Sequence, residues 1–318
     1  TNTLQQAITH HKAGELVDAE QLYRSILSEQ ANHPDANHNL GVLLKQGDKA
    51  DIALPFFKIA LESNPNQNVK SFGPLIHNPQ VVDILQKKGL SVVDEIKKNE
   101  KGTVIIRAHG IPNYKEEGLK NSEINVIDMT CPIVKKLQFA VKYLSDNDYF
   151  ILIVGNKNHP EIIGAKSYAK ESSAIVIKDK FELKISEIKS EKVGIVAQTT
   201  IPKKLFWEVV SRIEESNKFE TKIIDTLCDD INNKQIESEE IAKDVDIMLV
   251  IGGKNSSNTK EIAQICKNVN RNTFQIETFE EIINLNLKLD DKIIGITAGA
   301  STPPWLIKET IDGVLLNG

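Results

Sequence analysis

From about residue 67 onward the sequence predicts an α/β fold with largely parallel strands, preceded by an all-α segment over residues 1–66. Three observations lead there. Short apolar runs alternate with amphipathic stretches of helical period. The runs end, one after another, in small or polar residues. Proline recurs where helices should begin, at the first helical position, where its missing N–H costs nothing.

The first 66 residues lack that alternation. They read as two helix pairs with short polar turns at Ala13-Gly14-Glu15 and Gln46-Gly47-Asp48, closed by Asn64-Pro65. After them come the apolar runs Val104–Ala108, Val126–Met129, Phe150–Val154, Val193–Ala197, Ile223–Ile224, Ile247–Ile251 and Ile293–Thr297. Their trailing segments are RAHG, DMTCP, GNKNHPE, AQTT, DTLC, GGKNSSN and TAGAST. Ligands of parallel sheets sit beyond the carboxyl ends of the strands, so these segments are where chemistry is expected. Pro79, Pro132, Pro160, Pro202 and Pro303 mark the expected helix starts. Helix N-termini aimed at the strand ends would attract anions.

Composition narrows the function classes. The chain has 318 residues, 40% hydrophobic and 26% charged, with net charge −5 and a pI near 5.9. It carries no broad basic surface for nucleic acid. No apolar run approaches the ~18–20 residues of a membrane helix. The opening TNTLQQAITHHK is polar and periodic, unlike a secretory signal. Three cysteines cannot build a disulfide framework, which points to a reducing, cytoplasmic setting.

Several side chains in the trailing segments carry reactive or anion-binding groups. Ser256, Ser257 and Asn258 lie between a strand and a helix, where they suit a phosphate, or Ser257 or Asn258 simply caps the helix. His77, His109 and His159 fit phosphate binding, metal ligation or a purely structural place in their turns. Glu161, two residues after His159, is a proton donor or a solvated first-turn carboxylate. Cys131 and Cys228 stand far apart in sequence with no local ligand spacing, so on residues alone they are thiol ligands or small buried residues. Cys266 lies on the apolar face of a helix and reads as core.

Two resemblances follow. Ala19, Tyr23 and Leu27 recur about 34 positions on as Ala53, Phe57 and Leu61, so residues 1–66 resemble tetratricopeptide repeats. Such a module implies a protein or peptide partner. Further on, GPLIHNPQVVDIL, RAHG, DMTCPIVKK, NHPEIIG, AQTT, DTLC, GGKNSSN and TAGASTPPWLI, in that order, resemble the 4-hydroxy-3-methylbut-2-enyl diphosphate reductase family from about Gly73 to the C-terminus.

That resemblance implies three α/β units in a pseudo-threefold arrangement around a central site. Here the units would be residues 67–130 (incomplete), 131–224 and 225–318. It implies two-electron reductive dehydroxylation of an allylic diphosphate to isopentenyl and dimethylallyl diphosphate, the last step of the methylerythritol phosphate route. It implies a [4Fe–4S] cluster on three cysteines, with Cys131 and Cys228 as two of them, and electrons from a ferredoxin or flavodoxin. It assigns His77, His109, His159, Ser256, Ser257, Asn258 and Ser301 to the diphosphate. Glu161 becomes the proton-delivering acid. Thr199 assists the substrate hydroxyl, supported by Gln198 and Thr200. The GFCAGV-like opening that bears the family's first ligand has no counterpart here, so the third cysteine ligand is missing from this chain. Ile231 and Lys234 replace a threonine and an arginine usual in the family. A non-catalytic relative, with the helices as its interaction module, is the alternative reading.

Overall fold

A computed structural model of the chain describes residues 2–13, 15–46, 69–75, 78–96, 102–120, 122, 124–285, 287, 289 and 291–317. His77 and the repeat positions Ala53, Phe57 and Leu61 lie outside the described residues. The chain divides into two compact units. One comprises Thr1–Gly73, Asp83–Ile105 and Glu123–Met129, the other Pro74–Val82, Ile106–Ser122 and Thr130–Gly318.

Three helices open the chain: α1 (Asn2–Ala13), α2 (Leu16–Glu29) and α3 (Pro34–Gln46). Ala19 and Tyr23, one turn apart on α2, share a face and are buried with Ala7, Leu40, Leu43 and Leu44. Burial pushes the Tyr23 phenol up to about 12.

The first sheet takes in β1 (Val69–Phe72), β2 (Ser91–Val93), β3 (Thr103–Ile106) and β4 (Asn125–Asp128), with helices α4 (Pro79–Lys87) and α5 (Asn113–Lys120) between strands. Its order is β2-β1-β3-β4. Helix α6 (Pro132–Asp146) then leads to β5 (Phe150–Val154), α7 (Pro160–Lys166), β6 (Ala174–Ile177), β7 (Lys192–Ala197), α8 (Lys203–Glu214) and β8 (Glu220–Ile223), a sheet of order β6-β5-β7-β8. Helix α9 (Asp229–Lys243) leads to β9 (Ile247–Ile251), α10 (Ser257–Val269), β10 (Thr273–Ile276), α11 (Glu280–Asn284), β11 (Ile294–Ala298) and α12 (Pro304–Asn317), ordered β10-β9-β11. In all three sheets the first strand lies between the second and third and pairs with both in parallel. A repeated winding of this kind brings equivalent strand ends to equivalent places in each sheet.

The central strands are buried on both faces. Leu152, Val193 and Ile195 pack toward Phe206, Val209, Val210 and Ile213 of α8. Ile151, Ile153 and Val196 pack toward Leu137, Val141 and Leu144 of α6. Continuous apolar runs are the signature of such doubly covered strands, which is why the sequence reveals β5, β7 and β9. It does not reveal β2, β6 and β10. These lie at sheet edges, and β6 and β10 bury only their end residues fully. Strand β1 is central but only four residues long and includes Lys70. Prolines 79, 132 and 160 open their helices as expected, whereas Pro202 and Pro303 stand one residue ahead of α8 and α12.

Phe206 is fully buried, whereas Phe181 is 81% exposed. Phe206→Ala is expected to cost about 3–5 kcal/mol in urea melts through lost transfer energy and a residual cavity. Phe181→Ala should stay within roughly 0.5 kcal/mol.

Candidate functional site

The strand-end segments of the second compact unit meet through hydrogen bonds among their own side chains. At the start of α7, His159 caps the helix by accepting the Glu161 N–H on Nδ1 at 3.3 Å. The rings of His109 and His159 meet edge-on, with centroids 5.2 Å apart. The RAHG turn that brings His109 there is tied down by the Cys131 N–H, which donates to the Ala108 carbonyl at 2.9 Å. Its Gly110, at φ +70°, lies so close to the Gln138 amide on α6 that a Cβ would collide with it.

Glu161 is 1% exposed. The Thr199 N–H donates to its Oε1 at 2.7 Å and the Thr199 hydroxyl to its Oε2 at 3.1 Å. The solvated-carboxylate reading is therefore excluded. Burial raises the Glu161 carboxyl to about 7, against the two Thr199 bonds, which favour the ionised form. Loss of hydration outweighs them because it removes water from the whole group.

Thr199 is held from the other side. Its carbonyl accepts the Cys228 N–H at 3.0 Å. Thr226, fully buried, donates to the Ala197 carbonyl at 2.6 Å and accepts the Ala197 N–H at 2.9 Å. The Gln198 side chain links three segments. Its Oε1 accepts the Asn156 N–H, and its Nε2 reaches Thr200 Oγ1 at 3.1 Å and Ser257 Oγ at 3.3 Å.

Ser256, not Ser257 or Asn258, caps α10, accepting the Thr259 N–H. Asn258 is thereby left 6% exposed with neither its amide nitrogen nor its amide oxygen partnered. Buried polar atoms without partners are expensive, so an unpaired amide here marks a place shaped for a ligand. Thr259, which the sequence does not single out, adds a second unpaired buried oxygen, Oγ1. A Cβ at Gly252 (φ +148°) would meet Thr259 Oγ1 and Thr302 Oγ1 at 2.8 Å, and one at Gly299 would collide with the same Thr259 hydroxyl. The glycines in GGKNSSN and TAGAST were the available signal that a side chain must enter that space. Ser301 lies half-buried in the turn before α12.

The thiols divide as the sequence suggests. Cys131 and Cys228 are half-buried N-cap residues of α6 and α9. They stand close enough that Cys131 contributes to raising the Cys228 thiol. Burial is the main cause of that rise, and the N–H groups of Ile231 and Asp230 in the first turn oppose it. Cys266 is fully buried within α10 and donates to the Ser238 carbonyl at 3.4 Å, apart from this pair. Two thiols at helix starts, one of them bonded through its backbone to the turn that holds Glu161, fit a soft metal centre.

Comparisons with known proteins identify relatives of the chain. A family model described as LytB protein matches residues 51–315, opening inside the stretch that the repeat spacing assigned to the helical segment. A 4-hydroxy-3-methylbut-2-enyl diphosphate reductase of Aquifex aeolicus (strain VF5) is 43% identical over 258 residues, spanning 79% of this chain and 88% of that protein. One of Alkaliphilus oremlandii (strain OhILAs) is 36% identical over 255 residues, spanning 80% and 90%. A solved structure of (E)-4-hydroxy-3-methyl-but-2-enyl diphosphate reductase, the terminal enzyme of the non-mevalonate pathway, is 38% identical with a TM-score of 0.59, covering 87% of this chain and 95% of that one. The E-1-hydroxy-2-methyl-but-2-enyl-4-diphosphate reductase from Plasmodium falciparum, at 23% identity and a TM-score of 0.70, shares the fold over 79% of this chain and 80% of its own.

The Glu161 carboxyl gives stability a pH signature. Between its ordinary value of 4.5 and about 7 the folded chain keeps a proton that the unfolded chain releases. Stability therefore falls as pH rises through that window, by on the order of 3 kcal/mol, and the loss is complete above it. Glu161→Gln cannot ionise, so its denaturation midpoints at pH 5 and pH 8 should lie closer together than those of the native sequence.

Proposed function

The chain belongs to the LytB protein family, and on that premise we propose that it reductively dehydroxylates 4-hydroxy-3-methylbut-2-enyl diphosphate. The products are isopentenyl and dimethylallyl diphosphate, the end of the methylerythritol phosphate route. The observation that carries this reading is the Glu161–Thr199 pair, a buried acid that keeps its proton near neutral pH and is bonded to the residue whose carbonyl receives the Cys228 N–H.

Cys131 and Cys228 are two of the three thiolates that would hold an iron–sulfur cluster, of the [4Fe–4S] type in this reading, the third having no counterpart in this sequence. Such a cluster supplies the two electrons that no side chain can provide and a Lewis-acidic iron for the departing oxygen. Cys266 is not a third ligand, since its sulfur is fully buried against α9, where it donates to the Ser238 carbonyl.

The chain's own residues do the rest. Asn258, Ser256, Ser257 and Ser301, with His109 and His159 and with His77 by sequence, bind the diphosphate. Their N–H and O–H donors form charge-assisted bonds that fix a small substrate in one orientation. Thr199 hydrogen-bonds the substrate hydroxyl, and Glu161 delivers the proton through or beside it. The Gln198 link keeps Ser257 in step with the Thr199 turn. A ferredoxin or flavodoxin donates the electrons, and the setting is the cytoplasm. Among the described residues no helix is long and apolar enough to cross a membrane. The N-terminal helices, as a repeat-like module, take a peptide of a partner protein.

After anaerobic reconstitution with iron and sulfide, the protein is expected to convert the diphosphate with a strong one-electron reductant. Glu161→Gln should lower kcat by about 10²–10⁴-fold while substrate still binds by calorimetry. Cys131→Ser and Cys228→Ser should each cut the bound iron and sulfide sharply. A reconstituted protein that holds iron and sulfide, binds the diphosphate and forms neither product would overturn the reading.

A further inference from the structure

Helix α9 buries a polar stripe that the proposed reaction does not use. Asn232, Gln235 and Ser238 lie on its inner face, exposed by 6%, 3% and 1%. Buried amides on a helix face are costly unless each bond they make matters to the fold or the site. The first two make bonds directed at one place, the turn after β7 that carries Thr199. Gln235 Nε2 donates to the Thr200 carbonyl at 3.1 Å. Asn232 Oδ1 accepts the Lys203 N–H at 3.0 Å, and its Nδ2 donates to the Cys228 carbonyl at 2.9 Å. Together with the Cys228 N–H on the Thr199 carbonyl, these bonds clasp residues 199–203 from one helix face. Residues 228, 232 and 235 recur at the spacing that places side chains in line along a helix.

We infer that Gln235 and Asn232 are positioning residues, which fix the Thr199 turn against the Cys228 end of α9 and so set the geometry of the Glu161–Thr199 pair. The physical reason is that the turn has left the sheet. The last rung is the Gln198 N–H on the Val154 carbonyl of β5; among the described residues no strand pairing continues past it, and the Thr199 and Thr200 carbonyls take their donors from elsewhere. A rigid helix supplies them at fixed intervals. The same helix begins at Cys228, so the thiol and the proton-handling turn are referred to one body. Ser238, further along the stripe, bonds to Thr297 Oγ1 at 2.8 Å and touches none of this. It is the internal control for the purely structural cost of a buried polar loss.

The catalytic consequence rests on the reductase reading above; the geometric claim does not, and the test separates them. Hydrogen exchange of the Thr199 amide is followed by NMR on the protein without iron, sulfide or substrate. Gln235→Met, similar in size but without a donor, should speed that exchange roughly tenfold, the factor that one net hydrogen bond is worth. Gln235→Leu, apolar at every pH and so also without a donor, should do the same if the methionine variant does not fold. Ser238→Ala should leave the Thr199 amide within about twofold. In turnover, Gln235→Met should lower kcat with KM for the diphosphate little changed, because the diphosphate contacts lie on other segments. Unchanged Thr199 exchange in both Gln235 variants, or equal acceleration in Ser238→Ala, overturns the inference. Faster exchange with no turnover in any form, the native sequence included, upholds the brace and counts against the reductase reading alone.

Discussion

One threonine holds both oxygens of one buried carboxyl, and most of the site is arranged to keep it there. Thr199 sits just past the end of β7, where the ladder stops but water does not reach. Its N–H and hydroxyl are spent on Glu161. Its carbonyl is satisfied by the Cys228 N–H, and the preceding Ala197 is pinned at both backbone atoms by Thr226. Apart from Glu161 itself, each of these groups is a short branched side chain or backbone, so little conformational entropy is left to lose when substrate arrives.

The winding of the sheets explains why such a cluster forms at all. Each sheet starts in its middle and adds strands to either side, so loops from adjacent parallel strands leave the same edge. His159 and Glu161 leave from β5, Thr199 from β7 and Cys228 from beyond β8, all neighbours in one sheet. Asn258 and Ser257 leave from β9 and Ser301 from β11 in the next. Gln198 joins the two sets through its bond to Ser257. Glutamine suits that place because it accepts from the Asn156 N–H with one end and donates with the other.

Much of this was legible in the sequence, for definable reasons. Strands buried on both sides write continuous apolar runs, and turns needing special backbone write glycine and proline. So β5, β7 and β9 and the segments after them could be read directly. Edge strands such as β6 and β10 mix polar with apolar residues and resemble loops. The identity of the α10 cap was not legible, because Ser256, Ser257 and Asn258 are all competent caps and only the backbone entry angle chooses Ser256. That choice matters, since it leaves Asn258 unpaired. The buried stripe of α9 was hidden for the opposite reason. Asn232, Gln235 and Ser238 look like a solvated face, and nothing local says that they point inward. Thr259 was masked in the same way by its helical surroundings.

Burial of Glu161 resolves an electrostatic conflict in the proposed chemistry. The site must attract a diphosphate, yet it needs a carboxyl within reach of the same small molecule. An ionised carboxylate about 5 Å from a phosphate charge would cost roughly 3 kcal/mol at an effective dielectric of 20, enough to weaken binding more than a hundredfold. Removing water from Glu161 raises it to about 7, so near neutral pH a large share of the chains carry it uncharged. An arriving anion pushes in the same direction, favouring the proton further. The group is therefore loaded by the ligand it serves: substrate binding protonates the acid, and proton transfer leaves behind a carboxylate that repels the diphosphate product. Thr199 opposes the first effect and eases the second, since its two bonds are stronger to the ionised form. A pair with weaker bonds would hold its proton too firmly to give it up, and one with stronger bonds would be charged before the substrate arrived.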